Sequence, residues 1–457
     1  MITLEEQPYE WSARGQKLIY RASSDETTQI GFKYIVRVAD LSTLKNYEFL
    51  YDPAPFDEKL YFDLNPLVYL RNWENKNSRD EVPHYIPFDT PLEEPETFGY
   101  CRYNVEISEG WVVNGLFTEN VEGNVEAVTV NVFNAYLQAF YGFRPDPDDI
   151  TSAVLPTVYL CNGISSYMWS DRWRDTNTWD MASTFGLSDS YVYIPANNTD
   201  WGCIALPAYL PGIGPLSNNA VDQMEVNIYH MVGGVLTQQT ETVNFLATPT
   251  SVSLFLHVGI YPKNLIAANI LINNLDWYYY TFEAKDSDRD ETTSRTYVVY
   301  NAQKWGQHDC RNDIIRIAWV SMRGGWDYFN FIKRSDITNQ VDRKQFIRRL
   351  NNNTEGIFYP NQRQTIDTLN INERTLTVTS DWIQENEFIY LKNLFNSNQV
   401  QWLTKNTIYP LQIQGNQNPE QAVPVSLIDT NFTEQRGRNG KLVNVTLKFK
   451  ITQNYWT

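Results

Sequence analysis

The stretch that most constrains this chain is Ile314 to Ile332, IIRIAWVSMRGGWDYFNFI. Arg323, Gly324 and Gly325 sit between two runs rich in Ile, Val, Trp, Tyr and Phe, and glycine supplies the positive φ that a tight turn requires. A β-hairpin is predicted. On the outgoing strand Ile315, Ile317 and Trp319 alternate with Arg316, Ala318 and Val320; on the return Trp326, Tyr328 and Ile332 alternate with Asp327, Phe329 and Phe331. Both faces are largely apolar. One is therefore expected on a core and the other against a second layer or another subunit, which makes Trp319, Trp326 and Tyr328 candidate interface residues. From these residues alone, a hairpin inside an ordinary β-sandwich is the simpler reading.

The rest of the chain repeats this habit. Segments 31–38, 59–70, 100–107, 125–132, 224–232, 243–246, 251–258, 375–379, 408–413, 424–428 and 442–451 have strand length, alternation or β-branched content. The fold class expected is mainly β, as several β-sandwich-like domains with one or two short helices in the C-terminal domain. Phe133, Leu137 and Phe140 can line a short helix; Ser335–Leu350 reads either as a helix or as two short strands. Asp381 is placed to cap a helix over 382–396, with Gln384 completing a capping box and Phe388, Leu391 and Phe395 forming an apolar stripe. A chain of 457 residues sets a prior of about three domains. The Pro/Asp run at 144–149 and the acidic run at 286–291 divide it into 1–148, 149–288 and 289–457.

A formal charge of −17 argues against binding to nucleic acid or an anionic membrane, because phosphate would be repelled. The sequence opens with neither a basic nor an apolar leader segment, and no apolar run reaches spanning length. Cys101, Cys161, Cys203 and Cys310 are scattered without a CxxC pair, so free buried thiols are expected rather than a zinc site or disulfide framework. Sequons occur at Asn197, Asn352, Asn431 and Asn444 but carry little weight without a secretory signal.

Catalytic signals are sparse. His84, His230, His257 and His308 are the only histidines, and none lies in HExxH or beside a GxSxG elbow. His308 and Cys310 lack a second ligand pair. Asp286, Asp288 and Asp290 imitate the start of a calcium loop, but Glu291 stands where the turn needs Gly and Tyr297 where the bidentate Glu belongs. The most suggestive chemistry is YMWSDRWRDTNTWDM, where Trp169, Trp173 and Trp179 interleave with Asp171, Asp175 and Asp180. Indoles with neighbouring carboxylates suit a sugar, the rings for its apolar face and the oxygens for its hydroxyls; packing or subunit contact accounts for them more simply. Arg343, Lys344, Arg348 and Arg349 form the one basic cluster, suited to phosphate or, more economically, to the acidic surface of a neighbouring subunit.

The hairpin segment WVSMRGGWDYFNFIKRSD and the later TVTSDWIQENEFIYLKNLFNSNQV, followed by YPLQIQ, VPVSLI and KLVNVTLKFK, resemble tail, baseplate or tail-hub virion proteins of tailed bacteriophages that infect Bacteroides-like hosts, the crAss-like group among them. FDLNPLVYL and VFNAYLQAF look similar too, so loose similarity covers most of the chain and is specific in its last third. The resemblance implies a β-rich structural protein of the virion tail, assembled in the host cytoplasm into a ring or sleeve with its own copies and other virion proteins. It implies no catalytic residue, cofactor or metal. An acidic lumen would pass a genome without trapping it. A carbohydrate-binding adhesin using the Trp/Asp cluster is the alternative reading.

Overall fold

The computed structural model describes residues 1–8, 11–15, 17–70, 83–89, 92–94, 100–133, 192–207, 223–244, 255–271, 276–286, 291–292, 297–304, 313–320, 325–347, 365–397, 399–404, 421–437 and 440–451. The fold is mainly β, in several sheets. Two compact units emerge: Met1–Gln307 with Val320–Asp327, and His308–Trp319 with Tyr328–Thr457.

The first unit begins with a β-sandwich. One layer is β1 (Ile2–Glu6), β3 (Ile19–Ser24) and β6 (Leu60–Asp63) in the order β1-β3-β6. The other contains β2 (Trp11–Ala13), β4 (Lys33–Asp40), β5 (Lys45–Tyr51), β8 (Tyr100–Val113) and β9 (Leu116–Phe133), ordered β2-β9-β8-β4-β5. Alternation decides what lies between the layers. Tyr34, Val36 and Val38 from β4, Tyr103, Val105 and Ile107 from β8, and Tyr20, Ala22, Leu60 and Phe62 from the smaller sheet form one buried cluster. The second half of the predicted strand 59–70 is a helix, α1 (Asn65–Leu70). Pro66 cannot continue a ladder but suits a helix start, and the Asp63 carboxylate accepts the Asn65 N–H at 3.0 Å.

The same unit holds two more sheets. A small one orders β11 (Cys203–Pro207), β14 (Phe255–Gly259) and β7 (Leu92–Glu94). A six-stranded one orders β10 (Val192–Ala196), β17 (Tyr297–Asn301), β15 (Trp277–Asp286), β12 (Gln223–Val232) and β13 (Val235–Asn244), with β16 (Glu291–Thr292) beside β15. Along β12, Met224, Val226 and Ile228 are buried while the residues between them are half-buried. α2 (Pro262–Ala267) buries Leu265, and the Tyr280 hydroxyl donates to the Ile260 carbonyl at 2.7 Å.

The second unit is one large antiparallel sheet with a helix on it. Its strands are β18 (Ile315–Val320) and β19 (Trp326–Phe331), of which Val320, Trp326 and Asp327 are grouped with the first unit, then β20 (Asp336–Ile347), β21 (Thr365–Thr379), β22 (Ile383–Gln384), β23 (Val400–Thr404), β24 (Gln421–Gly437) and β25 (Gly440–Ile451). The order is β19-β18-β23-β24-β25-β21-β20, with β22 on β25. The alternation predicted for the last strand holds, since Val443, Val445, Leu447 and Phe449 are all buried. The helix is α3 (Glu385–Asn396), whose Phe388, Tyr390, Leu391 and Leu394 join the sheet's core with Phe395 partly buried. It starts later than predicted because Ile383 and Gln384 pair with Val443 and Leu442, which takes Gln384 away from any capping box. Asp381 still receives the Trp382 N–H at 2.8 Å.

The helical reading of 335–350 is overturned: Asp336–Ile347 is one strand, in register with β21 from Asp336↔Thr377 to Ile347↔Thr365. Ile337, Val341 and Ile347, which suggested a helix face, share strand parity equally well. All six residues of β18 are buried.

β19 ends the sheet, and Tyr390 on α3 closes that edge. Its hydroxyl accepts the Tyr328 N–H at 3.1 Å and donates to the Tyr328 carbonyl at 3.0 Å, as a neighbouring strand would. Tyr390→Phe leaves both buried backbone groups without that partner. We expect a loss of roughly 1–3 kcal/mol, read as a lower urea midpoint at unchanged m-value; an unaltered midpoint would show that the hydroxyl is dispensable.

Candidate functional site

Among the described residues of the first unit, an exposed apolar cluster lies at the end of the β8–β9 hairpin. Asn114 and Gly115 form its two-residue turn with φ of 54° and 83°, the paired positive angles of a type I′ turn. On either side Val112, Val113, Leu116 and Phe117 face solvent, and Ile30 lies alongside with its carbonyl accepting the Val112 N–H at 2.9 Å. Ile30 is 81% exposed and Leu116 73%, so neither contributes to the core. Gly31, at φ 69°, lets that loop approach: a Cβ would stand 2.8 Å from Val112 Cγ2. Gly110 does the same for Phe117, whose ring lies 2.7 Å from the position a Cβ would take.

Polar bonds hold the base of this hairpin. Arg37 on β4 bonds Glu119 through Nη1 at 2.7 Å and Nη2 at 2.6 Å, Glu48 through Nε at 2.9 Å, and Glu106 at 3.5 Å. One guanidinium thus ties β5, β4, β8 and β9. Ser108 donates to Glu119 at 2.8 Å. Arg37 is the main cause that holds the Glu119 carboxyl below the usual carboxylate range, and Glu119, followed by Glu48, holds the guanidinium more firmly protonated. Nearer the core, the buried Glu109 carboxylate accepts from Ser24 and, at 2.8 Å, from Asn120. Burial, followed by the Glu109 charge, pushes the Tyr34 phenol up to about 12. Register shifts between Val105 and Ile107, and between Ile107 and Glu109, re-aim the hairpin where these bonds act.

Two other polar clusters are interior. Cys203 Sγ lies 3.8 Å from His257 Nδ1, both side chains buried. A thiol enclosed this way can fix an imidazole, whereas a nucleophile needs access to its substrate. Asn264 accepts the Gly202 N–H at 3.0 Å and donates to the carbonyls of His84 and Ile86 at 2.9 and 2.6 Å, binding three segments together. No group of three or more His, Cys, Asp or Glu suited to a metal occurs among the described residues. Among the same residues, no helix is long and apolar enough to cross a membrane.

The predicted site residues are dispersed. Trp319 and Tyr328 are interior to this chain, which corrects their assignment as subunit contacts: the Trp319 ring meets Tyr390 at 5.3 Å, and Arg316 stacks over Tyr328 at 4.7 Å. Trp326 is half-buried, edge-on to His84 at 4.6 Å within the first unit. Arg343 and Lys344 sit on β20 in register with Asn370 and Leu369 of β21. Lys344 is exposed; Arg348 and Arg349 lie outside the described residues. So do Trp169, Trp173, Trp179, Asp171, Asp175 and Asp180, the helix expected after Phe133 and the boundary at 144–149. Asn197, one sequon, is interior and bonded to Asp200. The hairpin end went unread although Asn-Gly between apolar pairs is the strongest short hairpin signal.

No protein-family model matches the chain and no curated protein matches it.

The Arg37–Glu119 pair gives a pH-dependent prediction. A carboxylate held below its unfolded value of 4.5 stabilises fully above that pH, and the contribution is lost as pH falls through the folded value. Because Arg37 is partly exposed, solvent screening limits the effect. Arg37→Gln should cost about 1 kcal/mol at pH 7 in urea unfolding and progressively less as pH falls below the unfolded carboxyl value; a cost independent of pH would mean that the ion pair contributes nothing.

Proposed function

We propose that this chain is a structural component of a bacteriophage tail, as hub, baseplate or adaptor, assembling with its own copies and with other virion proteins into a ring or sleeve. The observation that carries the reading is the β8–β9 hairpin end, where Ile30, Val112, Val113, Leu116 and Phe117 expose aliphatic and aromatic surface on a rigid two-residue turn. Solvent exposure of such a cluster is unfavourable for a chain acting alone, and covering it on a neighbour restores the lost hydrophobic term. The ion-pair ladder at its base fixes the direction in which it projects, so little order has to be gained on contact.

The similarity of the hairpin at 319–336 and of the segment from 377 onward to tail proteins supplies the setting. The charge of −17 supports it in two ways: it keeps unassembled copies soluble, and it lets a genome pass an assembled lumen without phosphate contacts. The interface is then built from hairpin ends and strand edges rather than from Trp319 and Tyr328, which serve the core.

Electron microscopy of purified chain and of particles from an infected culture tests this. Rings or sleeves, and the chain's peptides in purified tails, are expected. A chain bearing Leu116→Asp and Phe117→Asp should fold with an unchanged circular dichroism spectrum and be depleted in particles by about tenfold or more, the loss expected when apolar anchors of an interface are replaced by charge. Particles that lack the chain altogether would remove the reading.

A further inference from the structure

The edges of the larger sheets are not treated alike. Among the described residues, β5 carries Lys45 and Glu48 along its sequence, β10 carries Pro195, and β20 carries Asp336, Asp342, Arg343 and Lys344. The Tyr390 hydroxyl occupies the edge of β19. Charges, proline and a covering side chain are the devices by which soluble proteins stop free strands from pairing. β13, VLTQQTETVN, has none of them except Glu241. It is otherwise Thr, Gln, Val, Leu and Asn, and it ends its sheet.

Its geometry is also that of an open template. Gly233 and Gly234 make a two-residue turn with φ of 59° and 84°, and from Val232↔Val235 to Gln223↔Asn244 the register with β12 runs without a shift. In such a hairpin the pair flanking the turn is hydrogen-bonded and pairs alternate from there. Leu236, Gln238, Thr240 and Thr242 therefore direct their backbone N–H and C=O away from β12, along an edge where Gln238, Thr240 and Thr242 are exposed. Val235, at its end, is 67% exposed.

We propose that β13 pairs with β13 of a second copy of this chain, antiparallel about a twofold axis through Gln239, joining two six-stranded sheets into one. The inference rests on the assembly reading above and narrows it to a single contact. In this register Leu236 faces Thr242 and Gln238 faces Thr240, so all four outward-directed residues find a partner with the same geometry. Val235 faces Val243, and Thr237 faces Glu241, which never meets its own counterpart. A register centred on Glu241 would oppose two carboxylates, and one slipped by a single residue would set outward-directed groups against inward-directed ones. The strand is thus complementary to itself as an isologous interface requires. A contact of one strand pair is smaller than the roughly 1,200–2,000 Å² of stable interfaces, so it is weak in solution and gains strength where several copies are held together.

Sedimentation of the full chain from micromolar to high-micromolar concentration tests this, on wild type, Thr240→Pro and Gln239→Cys. Wild type should dimerise reversibly. Thr240→Pro removes an N–H that points away from β12, so it should weaken dimerisation by about tenfold or more at an unchanged thermal midpoint. In a non-hydrogen-bonded antiparallel pair the Cα atoms stand about 4.5 Å apart, within disulfide reach. Gln239→Cys should therefore give a linked dimer in oxidised glutathione while wild type does not, and this reads the contact even if the proline variant unfolds. A wild-type dimer that survives Thr240→Pro, with no link in Gln239→Cys, would overturn the edge contact and leave the assembly reading standing. A wild type that stays monomeric, with no link, overturns the edge contact too; the chain's presence in particles is read separately.

Discussion

Two-residue turns with positive φ at both central positions fix the register of the two longest hairpins among the described residues of the first unit, at Asn114–Gly115 and Gly233–Gly234, and much else depends on that register. Side-chain direction alternates with period two, so a slip of one residue at either turn would exchange the buried and exposed faces of every residue along the hairpin. In β12 it would bring Gln223, Glu225 and Asn227 into the core in place of Met224, Val226 and Ile228. In β8 it would send Tyr103, Val105 and Ile107 out of the sandwich. The turns therefore act through the hydrophobic core, and the core in turn makes alternative registers costly.

Polar interactions refine what the register permits. Arg37 reaches carboxylates on three neighbouring strands because β4 lies between β5 and β8, with β9 beyond. Such partly exposed ion pairs contribute little to stability singly; their effect here is to select one twist for a hairpin that two bulges have already bent. Tyr390 does a similar service in the second unit, where one hydroxyl satisfies both backbone groups of Tyr328 at a sheet edge. The same physical problem, an unpaired strand, is solved inside the chain at β19 and left unsolved at β13.

Much of the fold was legible as alternation. Val443 to Phe449 and the paired runs of Ile315–Val320 and Trp326–Phe331 are strands where the pattern places them, and the stripe of Phe388 and Leu391 lies on a helix. Where periodicity was ambiguous it misled. Ile337, Val341 and Ile347 fit a strand as readily as a helix, and only pairing with β21 decides between them. The start of α3 depends on a two-residue pairing to β25 that no local pattern encodes. Site residues fared worse, because aromatic composition does not distinguish an interior indole from an interfacial one. Trp319 is interior through the company of Tyr390, which lies far away in sequence. The hairpin ends carried a readable signal, Asn-Gly and Gly-Gly between aliphatic pairs.

The central claim is that the hairpin ends and the free edge of β13 are covered when copies of this chain assemble. Residue-resolved amide hydrogen exchange, compared between dilute chain and assembled particles, addresses it directly. The outward-directed amides of Gln238, Thr240 and Thr242, together with the turn amides of Asn114 and Gly115, should exchange quickly in dilute solution and be slowed by about tenfold or more in particles, while Val226 and Ile228 stay protected in both. Equal exchange at the edge and the hairpin ends in the two states, with the chain present in the particles, would contradict the account.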